Sequence, residues 1–170
     1  KQSQIVVARI EYTVKDALMP ITRAAKLRDR ETSRRWQAHY DLIRGRLLAM
    51  RIRCNEFNSI CAQMIKDQPK FKNPSSNTWR LVPAADINAR DPQAKAVADE
   101  ATKLLKRVVD DHPGTPWALL AARELKDPFG FKWVETYVRP RPKPSEIAAA
   151  RKKAQPKNAM PPKPVEVPKL

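Results

Sequence analysis

An all-α fold is what this sequence predicts, and three observations predict it. Between Trp36 and Met64 the residues Trp36, Tyr40, Ile43, Leu47, Met50, Cys54, Phe57, Cys61 and Met64 recur at alternating steps of four and three. That heptad period keeps one apolar stripe of a helix against a neighbour. Residues 92–127 carry a second face at 3–4 spacing, broken once by a Pro-Gly turn. Finally, 3 Gly stand against 16 Pro, which suits helices divided by proline and not a sheet of tight hairpins. At 170 residues the chain can bury one sizeable core.

Residues 5–28 form the first helical region. Val7, Ile10, Val14, Ala17, Ile21 and Ala24 again step by three and four. Pro20 predicts a kink or division near Leu18–Met19, because proline lacks the backbone donor and crowds the preceding turn. Asp29 to Ser33 offer N-caps for a long helix over 33–67. So short a connection folds the first helix back antiparallel on the second. Leu48, Ile52, Ser59 and Ala62 make a second row, so the long helix packs on two sides. Arg44, Arg46, Arg51 and Arg53 flank its seam. A homodimeric coiled coil would set these arginines against each other, which favours an intramolecular seam and a chain that is monomeric in isolation. The same four residues are the candidate partner or anion surface. Gly45, at a solvent-side position of the heptad, marks a close approach by another segment, since glycine weakens a helix interior.

Residues 69–91 contain Pro69, Pro74, Pro83 and the polar run 73–77. They predict a loop that packs through Trp79, Leu81 and Val82. In the hairpin of 92–127, Asp91 caps, Pro92 opens the helix, and Ala94, Val97, Ala98, Ala101, Leu104, Leu105, Val108 and Val109 face inward. Gly114 supplies a left-handed end; Thr115 caps the next helix and Pro116 begins it. Trp117, Leu120, Ala121 and Leu125 line its inner side, with Glu124 at the edge. Residues 129–138 alternate like a strand but find no convincing partner. They are therefore expected to form an extended arm laying aromatics on the hairpin. Residues 139–170 make a Pro/Lys-rich tail, expected to be disordered with polyproline II character and a short basic helix over 145–153. The domain layout is thus a helical domain over 1–138 and a tail over 139–170.

The formal charge of +16 is uneven: residues 1–68 carry 14 Lys/Arg against 7 Asp/Glu, 69–128 carry 10 against 8, and 129–170 carry 10 against 3. Such a chain adheres to nucleic acid, anionic lipid or acidic protein at low salt. No nucleic-acid recognition motif accompanies the charge, and no aromatics interleave with it as a stacking platform. No run of about 18 apolar residues spans a membrane. His39 and His112, the 2 histidines, lack metal-ligand spacing to Cys or acid. Cys54 and Cys61 are about 10 Å apart along one helix, beyond disulfide reach. No catalytic constellation, phosphate loop or cofactor motif is present. The chain opens on Lys1, as a piece of a longer protein does.

Two resemblances add to this. Residues 97–125, an Ala/Leu-rich helix, a Pro-containing turn and an Ala-rich helix, resemble the terminal helix pair of tetratricopeptide-like repeats. The strings Arg35-Trp36-Gln37-Ala38-His39-Tyr40, Trp79-Arg80-Leu81-Val82-Pro83, His112-Pro113-Gly114-Thr115-Pro116-Trp117 and Phe129-Gly130-Phe131-Lys132-Trp133 carry the second. They look like the C-terminal region of planctomycete proteins with a von Willebrand factor A domain, over about residues 33–138. That resemblance implies an accessory helical segment beside an adhesion or scaffold domain. The Asp-x-Ser-x-Ser metal motif of the A domain is absent, so it implies no metal site. The expected function is a non-catalytic helical protein-interaction or scaffold module, taking a protein partner or the rest of a parent chain. The alternative is charge-driven binding to nucleic acid or an anionic membrane surface.

Overall fold

A computed structural model describes residues 2–87, 92–142 and 144–148. The chain divides into two compact units, Lys1–Tyr137 and Val138–Leu170. In the first, the element order is α1 (Gln2–Arg23), α2 (Ala25–Arg28), α3 (Arg34–Asp67), β1 (Thr78–Ala84), α4 (Pro92–Asp111), α5 (Pro116–Lys126) and β2 (Gly130–Thr136). Of the second unit, residues 144–148 are helical. The rest of the Pro/Lys-rich tail from 149 onward lies outside the described residues, as does Asp91, the expected cap of α4.

The unit is mostly helical, and α3 is its centre. Its 34 residues span about 51 Å at about 1.5 Å per residue. Helix α1 runs antiparallel along one side. Gln4 Nε2 donates to the Asn58 carbonyl at 3.4 Å near one end, and Tyr40 Oη donates to the Ile21 carbonyl at 2.9 Å near the other. Helix α4 lies along a second side, and α5 turns back on α4. Val14 and Leu18 of α1, Leu48 and Ala49 of α3, and Ala101 and Leu104 of α4 form one buried cluster. Leu42, Leu105, Val108 and Ala121 form a second, and Ile52, Ala94 and Ala98 a third, with Phe129 against the first and third.

The seam of α3 differs from the one its large residues predict. Trp36 and Met50 are exposed, and of the nine expected residues only Cys54 is buried; the other six are half-buried. The buried row is Ala38, Leu42, Gly45, Ala49 and Ile52, again at steps of four and three but two positions along. Small side chains win there because α4 approaches closely. A Cβ built on Gly45 would lie 2.9 Å from Leu105 Cγ. Gly45 thus does mark a close approach, from a buried position and not a solvent-side one.

Three further expectations change. Helix α1 continues through Pro20 and ends at Arg23. Pro20 and Asp16 both lie on the exposed side, where the hydrogen bond that proline removes is least costly. In α1, Ile10 is exposed and Leu18 takes its place in the core. Most important, the mostly helical fold also contains a small two-stranded sheet that the all-α expectation lacked. The loop of 69–91 contains β1 and the arm of 129–138 contains β2, paired antiparallel from Thr78↔Thr136 to Ala84↔Gly130. The strand partner lies beyond the whole α4–α5 hairpin, and Pro83 within β1 weakens its strand signal. The aromatics of β2 dock on the C-terminal half of α3. Trp133 Nε1 donates to the Ile60 carbonyl at 3.1 Å, and Phe131 meets Phe57 edge-on at 6.4 Å between ring centroids.

The ends of the elements follow local chemistry. Thr115 Oγ1 accepts from the Ala118 amide at 3.3 Å, and Pro116 follows it. Gly114 has φ +73°, the left-handed conformation a side chain disfavours. Ser33 stands at the N-cap of α3 without a side-chain cap bond. Its amide instead donates to Glu31 Oε1 at 2.8 Å, and Gln37 Nε2 reaches back to the Glu31 carbonyl at 2.5 Å.

Candidate functional site

Charged side chains gather where α2, α3 and α4 meet. At the floor is Asp41, 0 % exposed and about two turns from the start of α3. Arg28 of α2 donates through Nε to Oδ1 at 3.1 Å and through Nη2 to Oδ2 at 2.6 Å. Arg107 of α4 donates through Nε to Oδ2 at 2.8 Å and through Nη2 to Oδ1. One carboxylate therefore accepts two forked guanidinium groups, the strong planar form of the ion pair. The hydrogen bond to Asp41 holds the Arg28 pKa above its ordinary value, overcoming the opposing effect of burial.

One turn along α3, Arg44 donates to Tyr40 Oη at 2.9 Å and to Glu100 Oε1 at 2.5 Å. Burial works against its charge, but the bonds to Tyr40 and Glu100 outweigh it and the pKa is raised. Around this floor opens a cleft of about 230 Å³, lined by Arg28, Asp29, Tyr40, Arg44, Glu100, Lys103 and Arg107 among others.

The four arginines singled out from the sequence do not form one surface. Arg44 belongs to the cleft just described. Arg46 Nε donates to Glu124 Oε2 at 3.2 Å. Arg53 pairs with Glu124 Oε1, donates to the Asp127 carbonyl at 2.9 Å, and stacks its guanidinium 5.3 Å above Phe129. Arg51 sits on the α1 side, in a shallow depression shared with Lys15, Leu18, Met19, Thr22 and Arg23. Three of the four thus bind acids on α4 or α5, and Glu124, the odd acid at the edge of an apolar face, is the partner of two.

The residues that reasoning from sequence missed are Asp41, Arg28 and Arg107. A faint signal existed: Asp41 stands beside Leu42 on the buried row, where a lone acid requires cationic partners. Which cations answer it depends on the docking of α2 and α4.

No group of three or more His, Cys, Asp or Glu is placed to hold a metal among the described residues, and no described helix is long and apolar enough to cross a membrane. Cys54 and Cys61 are free thiols, each with its pKa raised by burial. His112 is buried at the end of α4 beside a larger, open cavity that Arg34, Arg35 and Trp117 share.

The fold and site define a mostly helical domain with a small antiparallel sheet and an ion-paired cleft. No protein-family model, curated protein or solved structure matches the chain.

Proposed function

We propose that this chain is a non-catalytic helical protein-interaction or scaffold module, an accessory segment that works beside the rest of a longer protein. The observation that carries this is the outer side of α1. Ile5, Val6, Ile10, Tyr12 and Met19 are each 43–74 % exposed, five large apolar side chains on one 22-residue helix. Scattered apolar residues are ordinary on a surface, but a helix that carries this many marks a protein contact. The helical hairpin of α4 and α5, in tetratricopeptide-like manner, holds α3 from behind and leaves α1 as the outer layer.

The basic charge supports the same reading. Arg28, Arg44, Arg46, Arg53 and Arg107 all pair with acids of the fold, so these five cations serve to join helices. Their stems cover apolar surface while their heads find carboxylates.

Two measurements test this. Replacing Ile5, Val6 and Ile10 together by serine is expected to leave thermal unfolding unchanged while lowering binding of a hydrophobic dye. Titration with duplex DNA, RNA and anionic vesicles at about 150 mM salt is expected to show only weak association. Submicromolar affinity there, lost on neutralising Arg44, Arg46, Arg51 and Arg53, would establish charge-driven binding instead.

A further inference from the structure

The cleft between α2, α3 and α4 holds more positive charge than its own acids neutralise. Arg28 and Arg107 share the single charge of Asp41, and Glu100 answers Arg44. Lys103, exposed on α4, lines the same cleft with no ion pair of its own. Once these close pairs are matched, two cationic equivalents remain. Within the lining of the cleft the acid left to oppose them is Asp29, whose side chain is 76 % exposed and whose oxygen lies 3.9 Å from Arg28 Nη1. So exposed and distant a pair contributes little. Asp99, Asp110 and Asp111 share a neighbouring depression with Lys103 and Arg107 and pair with neither.

Hydrogen-bonding capacity remains as well. Arg28 and Arg107 each direct Nε and Nη2 to Asp41, so the Nη1 groups of both are not engaged with it. Arg44 Nε is buried without a partner. Guanidinium groups held this rigidly lose little freedom when they accept a further oxyanion. The cavity of about 230 Å³ falls below the roughly 300–1,000 Å³ of sites that enclose a whole metabolite. It suits a single charged group entering from solvent.

We propose that this cleft binds a phosphate group, with Arg28, Lys103 and Arg107 as its ligands and Asp41 as the residue that orients both arginines. A phosphate monoester carries close to two negative charges at neutral pH and three acceptor oxygens. It therefore matches the two cationic equivalents that the close ion pairs leave over, where a carboxylate matches one. The group arrives either on a small phosphorylated molecule or on a phosphorylated side chain of a protein partner.

The test uses the whole chain at constant ionic strength. Inorganic phosphate, acetate and a phosphoserine peptide are each titrated by calorimetry and by thermal shift. Saturable binding of phosphate, at least about tenfold tighter than acetate, is expected from the charge match. Lys103→Glu is expected to weaken it by about tenfold or more while leaving the phosphate-free melting temperature unchanged, because Lys103 is exposed. Lys106→Glu, a control on the same exposed side of α4 but outside the lining of this cleft, leaves it intact. A phosphoserine peptide that binds more tightly than inorganic phosphate identifies a partner's phosphorylated segment as the source. Equal affinity identifies a small molecule. Non-saturable binding, equal response to acetate, or equal loss in both lysine variants would mean a diffuse positive field and would overturn the assignment.

Discussion

Asp41→Asn isolates what the buried ion cluster contributes, because the amide keeps the volume of the carboxylate and removes its charge. In the native protein both oxygens accept from Arg28 and Arg107, with Arg28 contacts of 3.1 and 2.6 Å. An asparagine offers one acceptor and turns a donor NH₂ toward a guanidinium. Removing one partner of a buried pair costs about 3–5 kcal/mol. The low end applies here, because the Arg28 and Arg107 side chains are 14 % and 32 % exposed and water can resolvate them in part. The expectation is therefore a loss of about 3 kcal/mol, a large share of the roughly 5–15 kcal/mol that holds a domain together. At about 3 °C per kcal/mol for a unit of this size, the melting temperature falls by about 10 °C. Urea unfolding followed by far-ultraviolet circular dichroism measures it directly. Arg107→Met introduced together with Asp41→Asn is expected to cost less than the sum of the two single changes, as groups in one network do. A change below about 0.5 kcal/mol for Asp41→Asn would refute the reasoning, since surface substitutions fall in that range.

Gly45→Val forces a side chain into the α3–α4 contact, where even a Cβ would lie 2.9 Å from Leu105 Cγ and 3.4 Å from Leu104 Cβ. Overpacking of about 1–3 kcal/mol is expected to exceed the helix-propensity gain of under about 1 kcal/mol, seen as a lower urea midpoint. Gly130→Ala is expected to unzip the sheet, because its Cβ would fall 1.8 Å from the Asp86 carbonyl oxygen; tryptophan emission should shift to the red as Trp133 leaves α3. Glu135 accepts from the amides of Lys72 and Asn73 at 2.8 and 2.9 Å, and those bonds lower its pKa. A carboxyl depressed on folding stabilises above its unfolded pKa, about 4.3, and that contribution is lost as pH falls through the still lower folded value. The amide signals of Lys72 and Asn73 should therefore move together in that acid range, and Glu135→Gln should abolish the transition.

The helices were legible because their apolar periods and caps are local. The 92–127 boundaries follow from Pro92, Gly114 and Thr115, residues whose chemistry acts within one turn, whereas Ser33 marks the start of α3 without a side-chain cap bond. The face of α3 was not legible by the same means. Weighting large apolar residues selects Trp36, Leu47 and Met50, whereas close helix contact selects Gly45, which faces Leu105, and Ala49, which clusters with Ala101. The sheet escaped for a different reason. Each strand is only seven residues long, and neither shows its partner until the α4–α5 hairpin has folded. Of the candidate site, Arg44 was visible beside the seam, but the cleft needed Arg28, Lys103 and Arg107 from two other helices. Only docking brings those together.

Packing fixes one point of the register between α3 and α4, where Leu105 sits over Gly45. The ion pairs fix others. Asp41 must meet Arg107 from α4 and Arg28 from α2 at once, Arg44 must meet Glu100, and Arg53 must reach both Glu124 and the Asp127 carbonyl. A slip of α4 by one turn, about 5.4 Å, breaks the pairs of Asp41 with Arg107 and of Arg44 with Glu100 and leaves the buried carboxylate with Arg28 alone. Paired charges between Asp41 and Arg53 of α3 therefore help define where α2, α4 and α5 stop. The cationic cleft follows as a consequence, because specifying that register by two arginines on one aspartate leaves a positive charge over.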